Sequence, residues 1–454
     1  MTPSTERGAG WDAGRLIARI ENVPFSRWHA RPRIVMGTAT FFDAFSALSL
    51  AFALPVLTPL WHIGPQQIGL LIAMGYVGQL AGAFLFTWAA EKFGRVPSAT
   101  IAVGIMSVMS VACALAGSFP ALLICRLLQG IGIGGEMPVA ATYISELSRA
   151  RGRGRFFLLY EIIFPVGLMA TGQLGAWLVP EWGWKSIFWA GSVPCFVIMA
   201  LLARLPESPR WLISRGRLKE AEAIIQQMET AAGTEAMVPC PAAAASTPRK
   251  PTRWRETLSP FYRGRTLIVW SLWSCAYLVA NGLNNWMPSL YSAVYRLPLK
   301  ASLRAASLTN VAQVLLVLIA ALSIERVGRR AWTLACFLAG AVALGILGLS
   351  GAHTAASVIV LGTFSYGVIG SANAVLYLYT PEVYPTRMRA IGTGLATSWL
   401  RVASAAGPAL VGVMVAAGGI AVVFVVFAAT CVIGALAAAR MIETRNLPLE
   451  EIAP

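Results

Sequence analysis

Apolar residues along this chain form long runs, separated by short segments that hold charged residues, prolines and glycines. Each run, of roughly 18 to 25 residues, is long enough to cross a hydrocarbon core of about 30 Å as an α-helix. Strands of a membrane β-barrel alternate apolar and polar residues, so these continuous runs exclude a barrel. The pattern therefore predicts an all-α integral membrane protein with twelve transmembrane helices, here called spans 1 to 12. They are expected near residues 34–58, 67–90, 98–117, 121–147, 155–179, 186–203, 265–292, 301–324, 331–350, 354–380, 388–416 and 420–441.

One long polar segment lies between span 6 and span 7 and divides the spans into two groups of six. Part of it is rich in Ala, Pro, Ser and Thr, which is typical of a flexible linker, and a surface helix is expected from Leu218 to Met228. The predicted parts are an N-terminal tail (1–33), an N-terminal six-helix bundle (34–203), the linker (204–264), a C-terminal six-helix bundle (265–441) and a C-terminal tail (442–454).

The two groups of spans repeat one charge pattern. A Glu and an Arg follow the second span of each group, and another Glu and Arg follow the fourth. The residues are Glu91, Arg95, Glu146 and Arg151 in the first group, and Glu325, Arg329, Glu382 and Arg387 in the second. The first pair recurs after 234 residues and the second after 236, which indicates a duplicated six-helix unit. We expect these arginines and acids to form an ion-pair latch on the cytoplasmic face, the alternative being charge that only sets topology.

Composition and charge narrow the class of protein. Of the 454 residues, 57% are hydrophobic and 12% charged, and Lys and Arg exceed Asp and Glu by 36 to 20. With both termini in the cytoplasm, about 30 of the basic residues lie on that face, which matches the positive-inside rule and explains the charge without nucleic acid. The seven cysteines are scattered, so no metal, redox role or cofactor is predicted. A monomer in the lipid bilayer is expected.

Five ionisable residues lie deep within the predicted spans. Each costs about 2.5 to 3.5 kcal/mol at mid-helix on insertion scales, so each is a candidate for function. They are Asp43, Arg126, Glu136, Glu161 and Arg401. Asp43 and Arg126 lie at depths where they could meet, and we expect a protonatable ion pair; the alternative is a static pair that locks helix packing. With Glu136 and Glu161, they are the predicted proton-coupling residues.

Aromatic and amide side chains of spans 7 and 10, together with Arg401 of span 11, predict a substrate site. Aromatic faces bind flat rings, amides bond ring heteroatoms, and a guanidinium holds a carboxylate by two parallel bonds. The predicted site residues are Tyr277, Asn281, Asn284, Asn285, Tyr366, Asn373, Tyr377 and Arg401. This set favours a small aromatic acid, although Arg401 could instead pair with Glu136 or Glu161. No catalytic or metal-spaced set is apparent, so an enzyme is not expected.

Several motifs together resemble the major facilitator superfamily. They are the paired Glu-x-x-Gly-Arg loops, the Arg126-Leu-Leu-Gln-Gly130 run, the doubled ends of spans 4 and 10, and Pro206-Glu-Ser-Pro-Arg-Trp-Leu212 after span 6. Glu91 and Glu325 replace the usual Asp of the loop motif, which puts the strength of the latch in doubt. The resemblance covers essentially the whole chain, and it implies two pseudo-symmetric six-helix bundles that rock about a central site.

At a finer level, the residues around Glu136 and Glu161, together with the span-11 arginine, look like those of bacterial niacin permeases. That resemblance implies proton symport of a small aromatic carboxylate across a bacterial inner membrane. A sugar transporter is an alternative, but Glu161 and Leu168 stand where sugar transporters of similar sequence have glutamines. An organic cation is another, because three buried acids outnumber two arginines. A transporter-like sensor is less favoured, since the linker carries no recognisable signalling domain.

Overall fold

The computed structural model describes residues 13–147, 162–233, 254–385 and 388–445, and within these ranges the regular structure is entirely helical. The spans are the helices Arg27–Trp61, Pro65–Phe93, Arg95–Leu115, Phe119–Glu146, Ile163–Trp182, Lys185–Leu202, Pro260–Ala293, Leu299–Val327, Arg329–Leu349, Ala355–Glu382 and Arg389–Ala439. Shorter helices outside the spans are Ala13–Asn22, Pro209–Ser214 and Leu218–Ala232, with a 3-10 turn at Trp254–Leu258. The predicted all-α membrane fold is confirmed.

The last helix, Arg389–Ala439, contains two spans. Gly419 interrupts it with φ of 75°, a left-handed conformation that only glycine adopts readily. Gly407 packs on Leu278, and Phe427 packs on Gly282, one turn further along span 7. A straight helix would separate residues 407 and 427 by about 30 Å. The chain therefore reverses near Gly419, and residues 389–418 and 420–439 are spans 11 and 12.

We call spans 1 to 6 the N-half and spans 7 to 12 the C-half. The membrane face that carries the segment between span 6 and span 7 is called the linker side, and the opposite face is the far side. Span 1 starts at Arg27 and span 7 at Pro260, several residues before the predicted starts at 34 and 265. Apolar runs identify only the part of a helix that lies in hydrocarbon, so these polar extensions were not predicted.

Glycines bring spans 2 and 4 of the N-half into backbone contact. A Cβ atom on Gly78 would lie 2.1 Å from the Leu127 carbonyl oxygen, and one on Gly82 would lie 2.0 Å from the carbonyl oxygen of Ile131. Real Cβ atoms do not approach that closely, so only glycine fits there. Small residues permit this close approach of membrane helices, and it fixes the register of span 4, which carries Arg126 and Glu136.

The two halves touch at the far side. The Pro408 carbonyl of span 11 packs against Gly69 of span 2, and the Pro65 carbonyl of span 2 packs against Gly412 of span 11. Lys300 of span 8 forms a 3.2 Å ion pair with Glu181 of span 5. The far-side ends of the halves are therefore packed together in this structure.

The helix Ala13–Asn22 in the N-terminal tail lies outside all predicted spans. Leu16 and Ile20, one turn apart, are buried against the helices Pro209–Ser214 and Leu218–Ala232. Arg19 donates two hydrogen bonds to the carboxylate of Glu229, at 2.9 and 2.7 Å. The tail helix thus packs on the linker side of the molecule.

We predict that Gly82→Ala destabilises the fold, because the added methyl meets a backbone carbonyl that cannot move away cheaply. Overpacking of this kind costs about 1 to 3 kcal/mol. Gly264→Ala is the matched control, since its added Cβ has no atom within 4 Å and the helix gains up to about 1 kcal/mol. Thermal unfolding in detergent should give a lower Tm for Gly82→Ala only. Equal Tm values would contradict the packing described here.

Candidate functional site

The duplicated charge pattern forms the same cluster at the linker side of each half. In the N-half, Arg95 is 5% exposed and lies 2.9 Å from both Glu91 and Glu146. In the C-half, the buried Arg329 lies 3.2 Å from Glu325 and 3.2 Å from Glu382. Each cluster therefore ties three successive spans of one half together, and its part in gating stays a prediction. Arg151 and Arg387 lie outside the described residues.

A third acid completes each cluster, and sequence reasoning did not single it out. The Glu207 carboxylate accepts hydrogen bonds from the backbone N–H groups of Arg95 and Val96, at 3.0 and 3.2 Å. Burial raises the pKa of Glu207, while hydrogen bonds from backbone N–H groups oppose that rise. In the C-half, the Glu443 carboxylate accepts hydrogen bonds from the backbone N–H groups of Arg329 and Arg330, at 2.9 and 3.1 Å. The sequence does contain a signal for these acids, because Glu207 and Glu443 are 236 residues apart, the same spacing as Glu146 and Glu382.

The positions of Glu207 and Glu443 help to explain why glycine stands directly before Arg95 and Arg329, in the turns that precede spans 3 and 9. Gly94 and Gly328 have φ of 113° and 93°, which side chains disfavour. A Cβ on either residue would also lie 2.3 or 2.5 Å from a carboxylate oxygen of Glu207 or Glu443. Each turn therefore exposes the N-terminus of the next span, where a negative charge is favourable.

The structure corrects the predicted pair of Asp43 and Arg126. Both side chains are 2% exposed, but no ion pair joins them. Arg126 donates instead to the side-chain oxygen of Gln129 at 2.5 Å and to the Ser46 carbonyl at 3.3 Å. Asp43 lies level with Glu136, whereas Arg126 lies level with Ser46, one turn further along span 1. The expectation that the two side chains share one depth was therefore wrong.

Asp43 faces a different pair of charges, Glu136 and Arg401. It interacts electrostatically with both, and its Oδ1 has no hydrogen-bond partner among the described residues. The fully buried Glu136 accepts a 2.9 Å hydrogen bond from the Thr40 hydroxyl. Two acids of the N-half and one guanidinium of the C-half therefore share one region of the membrane interior. Glu161 lies outside the described residues.

Arg401 links the C-half to the N-half through weak hydrogen bonds. Its two terminal nitrogens donate to the carbonyl oxygens of Gln79 and Gly134, each at 3.4 Å. A Cβ on Gly134 would lie 2.0 Å from the Gln79 carbonyl oxygen, so the missing side chain brings the two acceptors together. The predicted alternative, an ion pair of Arg401 with Glu136, does not form. Both bonds are long for a guanidinium and should give way to a carboxylate.

Three aromatic side chains, here called the aromatic cage, lie next to Arg401. The cage consists of Trp273, Tyr277 and Tyr377. Trp273 stacks on Tyr277 with ring centroids 5.5 Å apart and meets Tyr377 edge-on at 4.6 Å. The guanidinium of Arg401 interacts electrostatically with both tyrosines. Both tyrosines stay partly exposed, whereas the fully buried Trp273 bonds Thr380 at 2.9 Å. Trp273 was missed, although it lies one helical turn before Tyr277.

A hydrogen-bonded polar layer joins the halves on the far side of the cage. It consists of Tyr76, Asn281, Asn285 and Ser404. The Tyr76 hydroxyl of span 2 donates to Asn281 Oδ1 at 2.9 Å and accepts from Asn285 Nδ2 at 3.0 Å. Asn281 Nδ2 donates to Ser404 of span 11 at 2.8 Å. Two of the predicted substrate residues thus hold the halves together in this structure. Tyr76 was missed because nothing in span 2 alone marks it.

The remaining predicted substrate residues are buried within the C-half. Tyr366 is 3% exposed and donates to Gln313 of span 8 at 2.9 Å, while Asn284 accepts from Asn310 at 3.2 Å. Asn373 is 7% exposed, and its Oδ1 has no hydrogen-bond partner among the described residues. The contacts of Tyr366 and Asn284 fix the packing of spans 7, 8 and 10, and do not place these side chains beside Arg401.

Sequence and structure comparisons agree on the class of protein. A profile of the family described as "Sugar (and other) transporter" matches residues 58–454. The niacin transporter NiaP of Acinetobacter baylyi is 33% identical over 453 residues, covering 96% of this chain and 99% of that protein. The synaptic vesicle 2-related protein of Rattus norvegicus is 25% identical over 452 residues, covering 95% of this chain and 81% of that one.

Solved structures with this fold include a partially occluded inward open conformation of the xylose transporter XylE from E. coli. It superimposes with a TM-score of 0.74 at 19% identity, covering 93% of this chain and 100% of that one. At this identity the likeness concerns the fold alone. The predicted fold of the major facilitator superfamily is confirmed.

We predict that Glu443→Gln lowers the Tm, because a neutral amide replaces the carboxylate at the N-terminus of span 9. Hydrogen bonds to charged groups contribute about 1.5 to 3 kcal/mol each. Glu220→Gln, which removes an exposed acid of the helix Leu218–Ala232, is the control and should leave the Tm within a degree or so. A Glu443→Gln protein as stable as the control would show that the capping carboxylate is dispensable.

Proposed function

We propose that this chain, which belongs to the sugar (and other) transporter family of the major facilitator superfamily, is a proton-coupled symporter for a small aromatic monocarboxylate such as nicotinate. Membership of the family makes it a multi-pass membrane transporter and not an enzyme. The proposal concerns the substrate, the coupling to protons and the orientation in the membrane.

The observation that carries the proposal is the position of Arg401 beside the aromatic cage. A guanidinium is the group best suited to hold a planar carboxylate by two parallel bonds. Its present acceptors, the carbonyls of Gln79 and Gly134, are neutral and 3.4 Å away, so a carboxylate would bind more strongly. The faces of Tyr277 and Tyr377 would then hold the ring attached to that carboxylate. The similarity to a niacin transporter supports this substrate class.

Proton coupling follows from the acids that share this region. With Arg401 near, Asp43 and Glu136 are partly balanced by one positive charge. A substrate anion that binds the guanidinium removes that balance and leaves the acids facing added negative charge. Uptake of a proton by Asp43, whose Oδ1 lacks a hydrogen-bond partner among the described residues, restores neutrality in the low-dielectric interior. Substrate and proton would therefore bind together and be released together.

The distribution of basic residues supports an orientation with both termini and the linker side in the cytoplasm. The similarity to a bacterial niacin transporter supports a bacterial inner membrane. In that orientation the structure is closed to the outside, because the halves touch at the far side. Transport then requires the halves to rock apart at that side, which breaks the ion pair of Lys300 and Glu181 and the polar layer. The same motion closes the linker side, where the arginine clusters of the two halves would approach each other.

An organic cation is the second candidate substrate. Aromatic faces also bind cations, and Asp43 and Glu136 supply two buried acids close to the cage. A thermal-shift panel of nicotinate, benzoate, sugars and organic cations separates the candidates, because only a bound ligand stabilises the protein. Stabilisation by cations or sugars alone would contradict the proposal.

We predict that Arg401→Gln lowers the kcat/KM for nicotinate uptake into proteoliposomes by about 10- to 100-fold. Loss of one charge-assisted interaction of about 1.5 to 3 kcal/mol gives a change of this size. Arg440→Gln, which removes an exposed arginine after span 12, is the matched control and should retain uptake within twofold. Equal uptake by the two variants would remove Arg401 from the substrate site.

We predict that Asp43→Asn abolishes accumulation driven by an inward proton gradient but preserves exchange of labelled for unlabelled nicotinate. The amide resembles the protonated acid, so the loaded carrier can still move substrate, whereas the proton can no longer be released. Radiolabelled uptake with and without a pH gradient measures both activities. Normal gradient-driven accumulation by Asp43→Asn would rule out this residue as the coupling group.

A further inference from the structure

Arg126 is a buried cation without a neutralising acid among the described residues. Its guanidinium is in contact with the side chain of Gln129 and the carbonyl of Ser46, and its Nε has no hydrogen-bond partner. The groups that interact with it electrostatically are Cys113 and Tyr76, both neutral at physiological pH. A buried charge that is only partly solvated by neutral dipoles is costly, and a carboxylate is the group that would stabilise it most.

Arg126 lies level with the polar layer, whereas Arg401 lies on its linker side. On span 4, the Arg401 acceptor Gly134 is two turns, about 12 Å, closer to the linker side than Arg126. On span 2, the guanidinium of Arg126 lies against Gly75, whereas Arg401 bonds the carbonyl of Gln79, one turn nearer the linker side. Tyr76 of the polar layer directly follows Gly75, so the layer lies level with Arg126 and one turn from the Arg401 contact.

The polar layer opens when the far side opens, because its two parts come from different halves. Tyr76 belongs to the N-half, and Asn281 and Asn285 belong to the C-half. Separation of the halves at the far side would uncover Tyr76, which interacts electrostatically with Arg126. Arg126 would then be the first of the two buried arginines that an entering anion meets, before Arg401.

We propose that Arg126 forms a second anion site, level with the polar layer and farther from the linker side than Arg401, which binds the carboxylate of the aromatic substrate before it passes to Arg401. This inference rests on the proposed function, since it assumes that the substrate is an aromatic acid. The site uses the Arg126 guanidinium for the carboxylate, with the Tyr76 hydroxyl next to it as a hydrogen-bond donor once the layer has opened. The site also gives Arg126 a role distinct from the ion pair with Asp43 that the sequence predicted.

The test measures nicotinate uptake by intact cells, which sample the far side, for wild-type protein and the Arg126→Gln and Arg304→Gln variants. Arg304 is an exposed arginine near the far-side start of span 8, so its variant controls for general attraction of anions. We expect Arg126→Gln to raise the KM at least tenfold while uptake at saturating nicotinate stays within about threefold of wild type. Arg304→Gln should leave the KM within twofold.

A second variant keeps the test decisive if Arg126→Gln does not fold. A Cβ at Gly75 would lie 2.8 Å from the Arg126 Nη2, the mobile end of a long side chain, so Gly75→Ala moves the guanidinium without removing its charge. Gly75→Ala is expected to raise the KM severalfold.

Unchanged KM values in Arg126→Gln and Gly75→Ala, with normal wild-type uptake, would overturn the second anion site alone. Loss of gradient-driven accumulation at an unchanged KM would also overturn it, because that result assigns Arg126 to proton coupling. A wild-type protein that takes up no aromatic acid would instead contradict the proposed function.

Discussion

A guanidinium inside a membrane must be neutralised or solvated, and this requirement organises the centre of the molecule. Arg401 reaches from the C-half to the N-half because its only direct hydrogen-bond acceptors among the described residues are the carbonyls of Gln79 and Gly134. These acceptors are exposed to it because Gly134 has no side chain. Asp43 adds the negative charge that the carbonyls lack. The two Arg401 bonds of 3.4 Å join the halves only weakly, as the proposed exchange for a substrate anion requires.

The peripheral clusters follow the internal duplication, whereas the central charges do not. Arg95 and Arg329 hold equivalent acids, and Glu207 and Glu443 cap equivalent helices. The positions one repeat of 236 residues after Arg126 and Glu136 are Gly362 and Ala372, so the C-half has no counterparts of these charges. The stability of each half thus depends on the same kind of arginine–glutamate cluster at the linker side. The proposed transport depends on residues that differ between the halves and meet only where the halves face each other.

The sequence predicted the parts of the fold that depend on long runs of apolar residues. Apolar runs located the spans, and the short gap after residue 416 anticipated the break at Gly419. The tail helix Ala13–Asn22 was missed because its two buried residues lie outside any apolar run. The candidate site was predicted in part. Tyr277, Tyr377 and Arg401 come together, but Asp43 faces Arg401 and not Arg126. The relative depth of residues on packed helices depends on contacts such as Gly82 with Ile131 that no single span reveals.

The central claim is that Arg401 exchanges backbone carbonyls for the carboxylate of the substrate. Cryo-electron microscopy of the protein in lipid nanodiscs with saturating nicotinate, compared with the ligand-free protein, tests it directly. The account predicts ligand density between Tyr277 and Tyr377, with the carboxylate at about 2.7 to 2.9 Å from the guanidinium and Arg401 withdrawn from Gln79 and Gly134. Nicotinate density elsewhere, with Arg401 still on the two carbonyls, would contradict it.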